Sequence, residues 1–265
     1  TKFIYEMKPT IETYPKWFKE QFNIELHSKS ANIYEYVIQK LYKDVENSPF
    51  WNGLQDNLEN YNDEYYLKNG YTLLRVEPLK VFSKAYASVL NKSFRKNVLN
   101  NNSFPDEPLN GWVKPENWFY KIKDLLRTSI TVRYLDGVEF LANKIQDLAK
   151  QNNFTFEVDY EARVEGYYAA HITLVGKQTI VDENWNSIEV DFPMEIQITT
   201  QLQEVIKGLL HKMYEDARIE SLNKNSQKWQ WDYKSKEFSS NYLGHILHYV
   251  EGMILEVRDK QNKKN

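Results

Sequence analysis

Three stretches of the chain set hydrogen-bonding and charged side chains on one face of an extended backbone. Side chains alternate across a strand, so parity sorts each strand into two faces. From Arg127 onward, Arg127, Ser129, Thr131 and Arg133 fall opposite Ile130, Val132 and Tyr134. Along residues 166–175, Tyr167, Ala169, His171 and Thr173 share a side, opposite Tyr168, Ala170, Ile172 and Leu174. Between Met194 and Thr199, Glu195, Gln197 and Thr199 oppose Met194, Ile196 and Ile198. A sheet with one wet face accounts for the alternation by itself. The content of the polar face, rich in arginine, histidine, tyrosine, glutamate and glutamine, goes further and marks a candidate site.

The elements that must position these groups differ between the two halves of the chain. Residues 1 to about 110 read as helical, with helices expected near 11–24, 31–45 and 81–94 and a faint strand over Tyr71–Val76; Pro9, Pro15, Pro49 and Pro78 punctuate them. The polar stretch Asn97–Gly111 reads as a loop and as the seam between two regions, 1–110 and 111–265. Beyond it, strands are expected near 127–135, 154–162, 165–176 and 188–199, with a turn at 182–187. A short helix over Pro115–Lys123 precedes them. The spacing of Val138, Leu141, Ile145 and Leu148 predicts a helix over 137–151, and two more are expected over 201–221 and 239–258. The expected fold class is α+β: a mixed sheet of about five strands flanked by helices, with a helical N-terminal region.

Composition excludes several classes. The 265 residues contain no cysteine, which removes disulfides, thiolate zinc sites and cysteine nucleophiles and fits a reducing cytoplasm. No run approaches the roughly 20 apolar residues that span a bilayer. The first residues lack the basic-then-apolar pattern of a secretory signal. With 34 basic against 37 acidic side chains the net charge is −3, so phosphate binding must come from a local cluster. His245 and His248 are three residues apart on the last helix; with no third ligand in view they read as a plain surface pair rather than a metal site.

Three segments in order resemble the synthetase motifs of the RelA/SpoT family: Lys123-Asp-Leu-Leu-Arg127 leading into a strand, Gly166-Tyr-Tyr-Ala-Ala-His171, and Met194-Glu-Ile-Gln-Ile-Thr-Thr200 followed by a helix bearing His211. The resemblance covers residues 112–215. It implies a nucleotidyltransferase-like mixed sheet and a pyrophosphokinase, in which a ribose 3′-hydroxyl attacks the β-phosphorus of ATP and AMP leaves. It further implies that Asp124 and Glu195 hold Mg²⁺, a cation suited to carboxylate, water and phosphate oxygens, and that Glu195 receives the proton of the attacking hydroxyl. Tyr167 would stack on the acceptor base, His171 and Gln197 would bind phosphate or ribose, and His211 would stand behind them. Lys114, Lys121, Lys123 and Arg127 would hold the ATP phosphates, lysine as point charge and arginine as a fork, with Arg133 a lesser candidate.

The chain also departs from the family pattern. Trp112 stands where an arginine is expected, Ser129 and Thr199 replace arginines, and Glu204 replaces an asparagine. These differences fall on phosphate contacts of donor and acceptor. GDP or GTP is the expected acceptor, giving a (p)ppGpp-type alarmone. A toxin acting on the 3′ end of tRNA or on an adenine nucleotide is the alternative, as is a catalytically silent nucleotide- or RNA-binding module. For tRNA the discriminating feature is a basic patch built from Lys16, Lys19, Lys29, Lys92, Arg95 and Lys96. An antitoxin-like protein inhibitor is an expected partner, because an unrestrained enzyme of this kind would halt growth.

Overall fold

The computed structural model describes residues 8–27, 29–208 and 229–262. Its centre is a five-stranded mixed sheet in the order β1-β2-β5-β4-β3, comprising β1 (Phe82–Ser83), β2 (Leu126–Val132), β3 (Thr155–Ala162), β4 (Tyr168–Val181) and β5 (Ser187–Thr200). The α+β class expected from the alternating strands and helices is therefore observed. Five strands form, but the fifth is not Tyr71–Val76. That stretch is extended without being a strand, and Leu73 accepts one hydrogen bond from the Arg133 amide at 2.8 Å. It passes so close to the first turn of the following helix that a Cβ on Gly137 would sit 2.8 Å from Leu73 Cδ1. The edge position goes instead to β1, which pairs antiparallel with β2, Phe82 opposite Arg127 and Ser83 opposite Leu126.

Contacts cluster into two compact units. The first gathers the chain up to Ser48 with Val81–Arg127 and Leu174–Glu195. Its helices are α1 (Tyr14–Phe22), α2 (Lys29–Glu46), α4 (Tyr86–Phe94) and α5 (Trp118–Lys121). Helix α1 starts over Pro15, placed where a missing amide costs nothing, and stops at Asn23 in the left-handed region, φ 55°. Helix α4 is shorter than the expected 81–94 because β1 takes its first residues. Aromatic rings fill the interior: Tyr14, Phe18, Tyr34, Phe94 and Trp118 are all buried. The polar Asn97–Gly111 stretch is anchored here through Asn97, whose amide donates to Tyr14 Oη (2.8 Å) and Val113 O (2.7 Å) and accepts from Val113 N (2.8 Å). A buried amide must find such partners.

The second unit gathers Pro49–Lys80, Thr128–Thr173 and the chain from Ile196 onward. It contains α3 (Pro49–Asn69), α6 (Leu135–Gln151), helical turns over 201–208 (α7) and α8 (Lys236–Asn262). Helix α6 buries Val138, Leu141 and Ile145, the stripe its spacing predicts. The 21-residue α3 has no counterpart among the expected helices. Gly53 and the asparagines at 52, 57, 60 and 62 weaken its propensity, and its stability comes from packing Phe50, Trp51, Leu54 and Tyr65 inward. Helix α8 lies against the β3–β4 turn at a point with no side chains: Gly166 (φ +79°) and Gly244 meet backbone to backbone, and a Cβ on either would collide with the other segment's main chain.

Candidate active site

Asp124 sits in the turn between α5 and β2, only 15% exposed, and both carboxylate oxygens accept from lysines. Lys84, just after β1, reaches Oδ2 at 2.9 Å, and Lys92, in the last turn of α4, reaches Oδ1 at 2.6 Å. The β1–β2 pairing sets this geometry, since it continues past β1 as Lys84 N donating to Leu125 O at 2.8 Å. Burial pushes the Asp124 carboxyl up, but the ammonium groups of Lys92 and Lys84 outweigh it and hold the group below its ordinary value.

More cation gathers alongside. Lys96 has an exposed stem, and its Nζ donates to Lys121 O at 3.2 Å. Partial burial of the ammonium and the neighbouring Lys92 depress its pKa, Asp124 offsets part of this, and Lys121 and Lys123 add to it. One carboxylate thus faces a surplus of lysine charge, an arrangement that favours a polyphosphate.

Because the Asp124 pKa is depressed in the folded state, its contribution to stability is complete above about pH 4 and is lost as pH falls through the lower folded value. Thermal unfolding between about pH 5 and pH 2 is expected to show a drop in melting temperature that is shallower in an Asp124→Asn variant. Superimposable profiles would contradict the lysine pairing.

The remaining expected phosphate ligands are placed as follows. Lys121 Nζ donates to Asn110 O (2.9 Å) and Trp112 O (3.1 Å), holding the loop before α5. Lys114 pairs with Glu116 at 2.9 Å and lies 5.4 Å from the Phe22 ring centre. Lys123 and Arg127 are exposed. Glu195, half-buried, lies on β5, the strand next to β2. Sequence reasoning did not place Lys84, Lys92 or Lys96 at this site. Lys84 carries no motif signal, and Lys92 reads only as part of an N-terminal basic patch.

A second cluster surrounds Tyr167 in the other unit. The β3–β4 turn is closed by Arg163 N donating to Tyr167 O (3.0 Å) and Gly166 N donating to Arg163 O (2.9 Å). Tyr167 is half-buried rather than in the core; its Oη lies 3.1 Å from His171 Nε2. The Arg163 guanidinium covers the Tyr167 ring at 5.1 Å and pairs with Glu161 at 2.5 Å, and Glu161 Oε2 stands 3.6 Å from His171 Nε2. Sorting β3 by parity, as was done for its neighbours, is the signal that would have put Glu161 in view. Gln197, on the middle strand β5, is 9% exposed. His211 lies outside the described residues.

His245 and His248 face inward. Tyr168 Oη meets His245 Nδ1 at 2.7 Å, His245 Nε2 donates to Val164 O at 2.9 Å, and the His248 ring stacks on Tyr168 at 3.6 Å. Among the described residues no three His, Cys, Asp or Glu side chains cluster as metal ligands, and no helix is long and apolar enough to cross a membrane. Magnesium needs less than such a cluster: one or two carboxylates, with phosphate and water completing the shell. Asp124, in the turn before β2, and Glu195, on β5, are carboxylates of the kind such a shell takes.

No family model matches the chain, and no curated protein matches it by sequence. The fold is that of the RelA/SpoT-like small alarmone synthetases and GTP pyrophosphokinases. The solved structures it matches include small alarmone synthetase 1 from Bacillus subtilis bound to its product pppGpp, at 16% identity and a TM-score of 0.50 over 80% of this chain and 92% of that one. A GTP pyrophosphokinase family protein from Streptococcus pneumoniae matches at 14% identity and a TM-score of 0.50, over 88% and 93%. At such identities the likeness establishes the fold.

Proposed function

We propose that this chain is an ATP-dependent pyrophosphokinase that moves the β,γ-pyrophosphate of ATP to a ribose 3′-hydroxyl, with GDP or GTP as acceptor. The observation that carries the reading is the Asp124 carboxylate clasped by Lys84 and Lys92 with Lys96 beside it. Phosphoryl-type transfer depends on positioning and charge neutralisation more than on covalent help. In this reading Lys84, Lys92 and Lys96, with Lys114, Lys121, Lys123 and Arg127 around them, receive the donor phosphates. Lysines drawn to phosphate release the Asp124 oxygens, so that Asp124 and Glu195 can hold Mg²⁺; the ion would neutralise charge on the transferred group. Glu195 takes the proton of the attacking hydroxyl. Tyr167 offers a ring face to the acceptor base, and His171 and Gln197 hold its ribose or phosphates.

The test is incubation with labelled ATP and Mg²⁺ against GDP, GTP, ATP or deacylated tRNA in turn. AMP release that depends on GDP or GTP is the expected result. Release with tRNA or ATP alone assigns another acceptor, and nucleotide binding without AMP in every arm would leave only a binding module. Two of the six lysines and arginines of the basic patch, Lys92 and Lys96, turn to the Asp124 cluster, which favours a nucleotide over tRNA.

A further inference from the structure

Alternation sets three carboxylates on one side of β3, and they differ in burial: Glu157 and Asp159 are exposed, whereas Glu161 is half-buried. Glu161 Oε2 is shut off from solvent. That oxygen serves two neighbours, Arg163 Nη2 at 2.5 Å and His171 Nε2 at 3.6 Å. Both neighbours bear on Tyr167. The guanidinium lies over its ring at 5.1 Å, and the imidazole nitrogen that faces Glu161 is also 3.1 Å from the phenol oxygen. The bond from Arg163 N to Tyr167 O, 3.0 Å, fixes the backbone at Tyr167 but leaves the direction of its ring to the side-chain contacts.

Each of those contacts depends on the carboxylate. The Arg163 side chain is 47% exposed, and a guanidinium so accessible is drawn into water unless an anion holds it against the ring. His171 can donate from Nε2 to the phenol or accept from it, according to which nitrogen carries the hydrogen. A carboxylate oxygen facing the same nitrogen favours the tautomer with hydrogen on Nε2. The imidazole then donates to Tyr167 Oη, and the phenol keeps its own hydrogen for another partner. An ion pair with one accessible member adds little to stability. Its effect here is on the aim of an aromatic ring.

We propose, resting on the reading of Tyr167 as the platform for the acceptor base, that Glu161 is a positioning residue: through Arg163 and His171 it sets the tilt of the Tyr167 ring and the direction of its hydroxyl. Glu161→Gln keeps the shape of the side chain and removes its charge. The variant is expected to raise the KM for GDP or GTP about tenfold, while kcat and the KM for ATP stay within about twofold. Arg163→Ala should act in the same direction, and the double variant should fall well short of the product of the two single effects, because the residues act as a unit. A Glu161→Gln chain with a lowered melting temperature and an unchanged acceptor KM would make the residue a structural one and overturn the proposal. Equal changes in KM for donor and acceptor would do the same.

The tautomer can be read without any reaction. The chain has five histidines, and the His171 signals are those lost in His171→Gln. Nitrogen-15 spectra at alkaline pH should show hydrogen on Nε2 in the wild type and a mixture of tautomers in Glu161→Gln. Identical spectra for the two chains would overturn the proposal. If the wild type releases no AMP with any acceptor, the pyrophosphokinase reading falls, and the tenfold loss is sought instead in GDP binding by calorimetry. A wild-type chain that binds no guanine nucleotide overturns the proposal together with that reading.

Discussion

Asp124→Asn is expected to cut AMP release from ATP by about 10²–10³-fold while leaving ATP binding intact or tighter. The argument runs through the lysines. In the folded chain Asp124 occupies Lys84 and Lys92, only 17% and 22% exposed, and keeps them close together. Neutralising it frees both for the donor phosphates, so affinity for the triphosphate has no reason to fall. What disappears is the anionic oxygen that would share a metal ion with Glu195 and steady the developing charge. The same substitution leaves two partly buried ammonium groups facing each other, a cost of about 1–2 kcal/mol in the absence of nucleotide. Steady-state rates against titration calorimetry separate the two effects. A variant turning over at the wild-type rate would remove Asp124 from the chemistry.

Asp136→Ala is expected to have the largest effect on stability. Arg258 of α8 forks onto Asp136 of α6, Nη2 to Oδ2 at 2.8 Å and Nη1 to Oδ1 at 3.1 Å, and also donates to Tyr65 Oη of α3 at 2.8 Å. Tyr65 in turn donates to Asp136 at 2.7 Å, and the guanidinium lies 5.1 Å from the Tyr134 ring and 5.9 Å from Tyr71. Burial pulls the Arg258 pKa down, but Asp136 and Tyr65 more than compensate and raise it. Removing Asp136 leaves a guanidinium that is 6% exposed with Asp259 as its remaining acid partner. Breaking such a pair costs about 3 kcal/mol, or about 8 °C in melting temperature for a chain of this size. Asp136→Asn, which keeps an acceptor, should lose less. A change within 1 °C for Asp136→Ala would mean that the triad is ornamental.

Much of the C-terminal half is legible from parity and spacing, because a strand with one covered face writes its alternation into the sequence. The strands near 127, 154, 165 and 188, the helix after Tyr134 and the turn at 182–187 all form, the turn held by Asp182 Oδ1 accepting from Asn184 N (2.8 Å) and Asn186 N (2.9 Å). The N-terminal half is uneven: α2 buries a regular stripe through Ile33, Val37, Leu41 and Val45 and forms close to its expected bounds, whereas other parts are harder to read. Helix α3 is the clear case: Trp51, Leu54, Leu58 and Tyr65 recur at helical spacing, but the glycine and asparagines between them mask the signal. The same limit applies to the site. Asp124 lies in a recognisable motif, but Lys84 and Lys92 are brought to it by a two-residue strand and one helical turn, and pairing that short leaves no periodic trace. Parity also misjudges β5, where Gln197 and Thr199 are buried along with their apolar neighbours.

Where Gly166 and Gly244 touch main chain to main chain, neither position has room for a side chain. A methyl group gained on one has to displace the opposing backbone, and a second gained on the other offers no relief, because the obstruction is peptide rather than side chain. The same contact therefore confines both sites to glycine, with 77 residues of sequence between them. Tyr167, the residue next to this junction, is thereby placed in part by a helix packed against its turn.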